Sequence, residues 1–134
     1  MPLLVAETTT DAVTRVLERD SAMLVWWATE VECVSAIARL ERQGDLTADA
    51  TLESLARLDA LAAGWHEAQP VSAIRRAARR LLRVHQLRAA DALQLAAAIV
   101  CAEGDPGTLE IVSLDARLID AARREGFSVL EPHA

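Results

Sequence analysis

The stretch LRAADALQLAAAIVCA, residues 87–102, predicts a buried helix and carries one carboxylate, Asp91, near its start. On a helical wheel drawn from Ala89 to Ala102, apolar residues occur on every side, and a helix that is apolar all round is buried. Asp91 and Gln94, three residues apart and therefore adjacent, break this pattern. A buried charge is costly unless it has a partner, so the partner of Asp91 is the first clue to function.

Composition limits the class of protein. The chain has 134 residues, of which 52% are hydrophobic, which predicts a single domain over residues 1–134 with a substantial core. A net charge of −6 argues against a protein that bulk charge holds to nucleic acid, but it allows a local basic patch. Cys33 and Cys101 have no Cys or His neighbour at metal-binding spacing, so we expect reduced core thiols in a cytoplasmic protein. No secretory signal follows Met1, and the longest apolar run is shorter than the ~20 residues of a membrane span.

Short apolar segments alternate with amphipathic segments along the chain. Periodicity, caps and turn residues predict strands over 22–28, 65–70, 108–114 and 127–132, and helices over 8–20, 29–44, 47–64, 72–86, 89–102 and 115–126. The connections between strands are long enough only for helical crossovers. This alternation predicts an α/β domain with a short, mainly parallel sheet flanked by helices on both faces.

The helix predicted after the first strand has clear boundary signals. Thr29 followed by Glu32 has the spacing of a capping box, and Gly44 is a helix terminator. Its apolar face is predicted to contain Val31, Val34, Ile37, Ala38 and Leu40. The adjacent residues Trp26 and Trp27 are expected in the core or at a dimer contact.

Three carboxylates have structural explanations when each is taken alone. Asp91 lies in a predicted first helical turn, where the helix dipole favours an anion by about 0.3–1 kcal/mol. Glu32 completes a capping box or faces solvent, and the neighbouring Glu30 competes for any role given to it. Asp115 is a natural N-cap for the helix that follows it.

Taken together, the same carboxylates indicate a metal site. Glu32 and Asp115 both follow the carboxyl ends of predicted strands, where open α/β sheets place their ligands, and Asp91 opens a helix that can point into the same crevice. A site with oxygen ligands only suits Mg²⁺ or Mn²⁺, which support phosphodiester hydrolysis. On this interpretation the partner of Asp91 is a divalent cation.

The order of three motifs resembles a known family. TEVECVSAIARLERQG (29–44), LRAADALQLAAAIV (87–100) and IVSLDARLIDAARREGFSVLEP (111–132) are similar to the PIN domain of VapC-type toxins, the toxin half of bacterial toxin–antitoxin pairs. The resemblance runs from about Pro2 to Pro132. It implies a three-layer α/β/α fold and a metal-dependent ribonuclease that forms a homodimer and is neutralised by an antitoxin.

The resemblance also implies roles for individual residues. Glu32, Asp91 and Asp115 correspond to family acids that hold Mg²⁺ or Mn²⁺ and orient the attacking water, with Gln94 and Ser113 as supporting partners. The family begins with a short apolar strand that ends in a further Asp, whereas this chain opens with MPLLVAETTT, which resembles the end of the first family helix. The domain is therefore expected to be N-terminally truncated relative to the family, through a late start, a shortened chain or degeneration. The loss of a central strand is expected to leave a gap in the sheet.

A basic helix offers a partner surface. The residues that share one side of the segment 72–86 are Arg75, Arg76, Arg79, Arg80 and Arg83. They are expected to lead RNA phosphates toward the carboxylates, to dock an acidic antitoxin segment, or simply to form a solvated face. The Ala- and Leu-rich segment 47–64 is a further candidate for a dimer or antitoxin interface.

Two other classes of function are carried as alternatives. One is a catalytically inactive PIN-fold module that binds RNA or a protein partner, and the other is an unrelated α/β domain whose acids are scattered caps. The three histidines His66, His85 and His133 are isolated in sequence, which argues against a histidine metal site or proton relay. No Ser, Thr or Cys has a neighbouring His, so covalent catalysis finds no support.

Overall fold

The computed structural model describes residues 24–112 and 115–130. Within these ranges the chain is α/β and mostly helical. The strands are β1 (Leu24–Trp26), β2 (His66–Ala68), β3 (Glu110–Val112) and β4 (Ser128–Leu130), and the helices are α1 (Thr29–Arg42), α2 (Ala48–Ala62), α3 (Ser72–Val84), α4 (Ala89–Cys101) and α5 (Ala116–Arg124). A 3₁₀ turn, Pro106–Thr108, precedes β3. In these ranges no helix combines the length and apolarity needed to cross a bilayer.

The strands are short and form two separate pairs. β1 pairs with β2, and β3 pairs with β4. The β3–β4 pair is parallel, with Glu110 opposite Ser128 and Ile111 opposite Val129, and α5 is the crossover between them. The parallel pairing confirms the predicted α/β class in its coarser form. A single sheet was expected, and the described strands instead form two sheets of two strands each.

The chain divides into two compact units. Of the described residues, the first unit contains 24 and 28–66, and in it α1 packs against α2 around Cys33, Ile37 and Leu58. The second contains 25–27, 67–112 and 115–130. In it, α3 packs most extensively against α4, α4 packs against α5, and α5 packs against β4. The candidate carboxylates therefore lie in separate units, with Glu32 in the first and Asp91 and Asp115 in the second.

Several helix boundaries follow the sequence signals. Thr47 caps α2 by accepting a hydrogen bond from the Ala50 backbone N–H at 3.1 Å, as its position before the helix predicts. After α1, Gly44 has a φ of +82°, and the Asp45 N–H donates to the Leu40 carbonyl, which is a Schellman ending. The predicted capping box is wrong. The N-cap of α1 is Ala28 with no side-chain hydrogen bond, because Thr29 is buried as the first residue of the helix.

The buried face of α1 also differs from the prediction. Its buried residues are Thr29, Cys33, Ala36 and Ile37, whereas Val31 and Val34 are exposed by 68% and 40%. The stripe at positions 29, 33 and 36 has the same helical spacing as the valine stripe, and the small side chains of Cys and Ala let α1 approach its neighbours closely. Periodicity alone could not separate the two stripes.

The predictions of burial are met only in part. Trp26 is buried in the core, whereas Trp27 is 52% exposed, so for Trp27 the dimer contact stays a prediction. Cys33 is buried and Cys101 is exposed, although both thiols are free as expected. The predicted helix over 8–20 and the residues Ser113 and His133 lie outside the described ranges.

Candidate functional site

Asp91 occupies the first turn of α4, where the sequence placed it. The residues around it on this helix, Ala92, Leu95 and Ala96, are fully buried, whereas Asp91 itself is half-buried. The N-cap residue Arg88 has extended backbone and makes no side-chain cap. Among the described residues, none donates a hydrogen bond to the Asp91 carboxylate. A half-buried acid therefore stands at the start of an apolar helix.

The electrostatics of Asp91 connect it to Asp115. Burial raises the pKa of Asp91, the negative charge of Asp115 raises it further, and the positive charge of Arg88 opposes both effects. The two carboxylates are therefore close enough for the charge of Asp115 to act on Asp91. Their joint role in a metal site stays a prediction.

Asp115 has a defined structural task as well. It is the N-cap of α5, and its Oδ1 accepts hydrogen bonds from the backbone N–H groups of Arg117 and Leu118, each at 3.0 Å. It is exposed, and it follows the parallel strand β3 by three residues. Asp115 therefore acts as the predicted cap while it places a carboxylate beyond the carboxyl end of a parallel strand.

Glu32 lies in the first turn of α1 and belongs to the other compact unit. Its negative charge acts on the neighbouring thiol of Cys33. Burial raises the pKa of that thiol to about 11, and the charges of Glu32 and Glu30 add to the increase. The place of Glu32 in a three-acid site stays a prediction. Gln94 lies one turn after Asp91 on α4 and is half-buried, and its supporting role stays a prediction.

Within the described parts of the chain, no group of three or more His, Cys, Asp or Glu side chains is gathered closely enough to hold a metal ion. Asp91 and Asp115, which we call the acid pair, provide two possible ligands and so do not form such a group. The donors of the acid pair are carboxylate oxygens, which are the ligands that Mg²⁺ and Mn²⁺ prefer. Mg²⁺ is commonly held by one or two protein carboxylates, with water and substrate phosphate completing its shell. The donor chemistry of the pair fits such an ion.

The arginines of α3 form the predicted exposed face. Ile74, Ala78 and Leu81 are the buried residues of this helix. On the other side, all five predicted arginines are exposed: Arg75, Arg76, Arg79, Arg80 and Arg83. We call these five residues the arginine face.

Sequence analysis missed a polar cluster between the ends of two helices. Glu125, just after α5, accepts hydrogen bonds from Arg80 at 2.7 and 3.3 Å, and its Oε2 lies 2.7 Å from His85 Nε2. The Arg80 hydrogen bond lowers the pKa of Glu125, and His85 contributes to the same shift. His85, which is isolated in sequence, therefore has a polar partner in the fold. Its partner lies 40 residues away, and no local pattern in the sequence joins the two.

No family model, no curated protein and no solved structure matches the chain.

Proposed function

We propose that this chain is a divalent-metal-dependent endoribonuclease of the PIN-domain type, a VapC-like toxin that a cognate antitoxin neutralises. The observation that carries the proposal is the pair of Asp91 and Asp115. Burial and the Asp115 charge raise the pKa of Asp91, as expected for carboxylates gathered where a cation binds. These are the acids for which the sequence resemblance implies metal binding.

The proposed roles follow from the position of each side chain. Asp91 and Asp115, with Glu32 as a third acid, are the residues that would hold Mg²⁺ or Mn²⁺. Such an ion, when bound, polarises a scissile phosphate and lowers the pKa of water. The two backbone hydrogen bonds to Asp115 Oδ1 restrict the rotamer of that carboxylate, and Gln94 is placed to orient Asp91. Rigid placement of this kind is what a metal-assisted reaction requires of the protein.

The finer fold belongs to the same proposal. A PIN-like three-layer α/β/α arrangement is supported by the parallel β3–β4 pair and its helical crossover. It is also supported by the position of Asp115 just beyond β3. In this arrangement the helices that carry the acids open at one edge of the sheet.

The proposed partners are RNA, an antitoxin and a second copy of the chain, in the cytoplasm. The first unit offers apolar surface for the two protein contacts, since Val31 and Leu52 are 68% and 66% exposed. Leu52 lies in the segment 47–64 that the sequence suggested for this purpose. Apolar side chains that form a contiguous exposed patch mark interaction surfaces, and the proposal requires Val31 and Leu52 to belong to such a patch.

The proposal is tested by RNA cleavage and by metal binding, measured separately. The chain, its Asp91→Asn variant and a matched Asp49→Asn control are incubated with RNA in Mn²⁺. Asp49 also lies in a first helical turn, on α2, so the control removes an equivalent charge outside the site. We expect cleavage by the wild type and by the control, and none by Asp91→Asn.

Thermal unfolding supplies the second readout. Mn²⁺ is expected to raise the Tm of the wild type and of Asp49→Asn, because a ligand that binds only the folded state stabilises it. Asp91→Asn is expected to show no Mn²⁺ effect and a higher Tm than the wild type in metal-free buffer, because the fold disfavours the ionised Asp91. Equal Mn²⁺ shifts in all three proteins would reject the acid pair as the metal site.

A catalytically inactive PIN-fold module that binds RNA or protein is the second candidate. It is favoured by the lack of a three-ligand group among the described residues, and by the use of Asp115 as a helix cap. This candidate predicts folded protein with no Mn²⁺-dependent Tm shift and no cleavage. The two readouts above therefore decide between the candidates.

A further inference from the structure

The arginine face concentrates positive charge on an acidic protein. Helix α3 has five arginines and no Asp or Glu within Ser72–Val84, although the whole chain carries a net charge of −6. Arg75, Arg79 and Arg83 form one row at four-residue spacing, and Arg76 and Arg80 form a second row beside it. Like charges at this spacing repel each other and destabilise a helix. An anionic ligand along the rows would remove that repulsion.

Most of the arginine face lacks a counter-charge among the residues that the structure describes. Across residues 24–112 and 115–130, a single member, Arg80, has a carboxylate partner, which is Glu125 at 2.7 Å. No described acid pairs with Arg75, Arg76, Arg79 or Arg83. Four exposed guanidinium groups thus remain available to a ligand.

A cleft runs along the carboxyl-terminal part of the arginine face. Its volume is about 400 Å³, and the described residues that line it are Arg79, Arg80, Arg83 and Val84. Three of these four residues carry a guanidinium group. A guanidinium group matches phosphate, with which it forms two parallel hydrogen bonds.

We infer that the arginine face and its cleft bind the phosphodiester backbone of a nucleic acid, with Arg79 and Arg83 as direct phosphate contacts. Arg80 has a different role. Glu125 holds its guanidinium with two hydrogen bonds, and Glu125 is itself fixed by the largely buried His85. Arg80 therefore forms an ordered wall of the cleft, while Arg79 and Arg83 supply the net positive charge.

This inference does not depend on the acid pair or on a metal ion. Binding to phosphates is electrostatic and requires no cleavage, so it is measured in buffer with EDTA. A chain that binds nucleic acid without cutting it would support this inference and reject the proposed nuclease. A chain whose RNA cleavage requires Asp91, and whose RNA binding does not require the arginine face, would support the proposed nuclease and reject this inference.

The test is fluorescence anisotropy with a labelled single-stranded RNA and a DNA of the same sequence, over a range of salt concentrations. The variants are Arg79→Gln/Arg83→Gln and a matched control, Arg39→Gln/Arg42→Gln, which removes two exposed arginines from α1. We expect the control to bind like the wild type, and the α3 variant to bind at least about 10-fold more weakly. Each phosphate contact contributes ~0.7 to the slope of log K against log salt, so the slope should fall by about 1.4 in the α3 variant.

A second variant guards against a general effect on folding. Arg79→Lys/Arg83→Lys keeps both charges, so it should retain the salt slope while losing the paired hydrogen bonds and some affinity. Equal binding of RNA and DNA supports recognition of the shared phosphodiester backbone. Preference for RNA identifies RNA as the nucleic acid that supplies the bound phosphates. Unchanged affinity in the Gln variant overturns the inference. Stronger binding of a poly-glutamate peptide of equal charge also overturns it, and would assign the face to an acidic protein.

Discussion

At the scale of single residues, the most consequential polar contact is the cluster of Arg80, Glu125 and His85. The side chains of His85 and Glu125 are 7% and 15% exposed, so both give up most of their hydration. His85 Nε2 has its hydrogen bond with Glu125, whereas Glu125 also accepts two hydrogen bonds from Arg80. The loss of one partner leaves a buried polar group unsatisfied, which costs more than the pair itself contributes.

The Glu125→Gln variant should show the pH dependence of this cluster. The pKa of Glu125 is lowered, first by the Arg80 hydrogen bond and then by His85, so the folded state favours the ionised form. The stabilisation is fully present above the ordinary Glu pKa of about 4.3 and is lost as the pH falls through the lowered value in the folded state. We expect Glu125→Gln to lower stability by about 1–2 kcal/mol at neutral pH, with the difference from wild type vanishing in acid.

The measurement is urea unfolding of both proteins at several pH values between about 2 and 7. The matched control is Asp120→Asn, which removes an exposed carboxylate that pairs with Arg124 at 3.0 Å on the surface of α5. Exposed pairs contribute little, so this variant should unfold nearly like the wild type at every pH. A loss of stability in Glu125→Gln that does not depend on pH would contradict the assigned electrostatic role.

At the scale of helices and strands, the sequence predicted helix boundaries most accurately where a single residue determines the boundary, as a capping residue does. Thr47 and Asp115 were expected to cap helices, and each accepts the backbone hydrogen bonds that a cap requires. The face of α1 was predicted wrongly, because two stripes with the same period compete and only the packing partner selects between them. The 3₁₀ turn Pro106–Thr108 was missed because three residues are too few to produce a periodic signal.

The same reasoning explains what could be foreseen of the site. Asp91 and Asp115 were expected to share a site because each opens a helix near one end of a parallel strand arrangement. The structure adds that burial, and then the charge of Asp115, raise the pKa of Asp91, while the shared site itself stays a prediction. Glu125 and His85 could not be foreseen, because their contact depends on how α3 and α5 end relative to each other. Single-sequence patterns describe elements and not the distances between their ends.

Two glycines that end helices in the same way provide a test at this scale. Gly44 and Gly126 both have positive φ, +82° and +97°, and both follow a helix with a Schellman pattern. A Cβ at Gly44 would have no heavy atom within 4 Å, whereas a Cβ at Gly126 would lie 3.1 Å from Pro106 Cγ. The two sites therefore share the backbone cost of a left-handed conformation and differ in the steric contact.

We expect Gly44→Ala to lower stability by about 1 kcal/mol, which is the usual cost of a left-handed non-glycine residue. Gly126→Ala should cost more, because the methyl group also displaces Pro106 at the start of the 3₁₀ turn. Chemical denaturation of both variants measures the difference. If Gly126→Ala is no less stable than Gly44→Ala, then Pro106 shifts freely and the turn does not constrain the end of α5.

At the scale of the whole molecule, the question is whether the two compact units unfold together. Length and composition predicted one domain over residues 1–134, and the boundary between the units falls inside strands β1 and β2. Unfolding of either unit alone would require both strands to break where the boundary crosses them. We therefore expect a single cooperative transition.

The two cysteines make this expectation measurable, because Cys33 belongs to the first unit and Cys101 to the second. Cys101 is exposed and should react with a thiol reagent in the native protein, so it is replaced in a Cys101→Ser background. Cys33 is 1% exposed, and burial raises its pKa to about 11, so it should be protected until its unit unfolds. Pulse labelling of Cys33 across a urea series is then compared with the loss of helical circular dichroism.

For one cooperative domain, the labelling midpoint of Cys33 and the single circular-dichroism midpoint coincide. Independent units would instead give labelling of Cys33 at a urea concentration where much of the helical signal persists, because α3, α4 and α5 lie in the second unit.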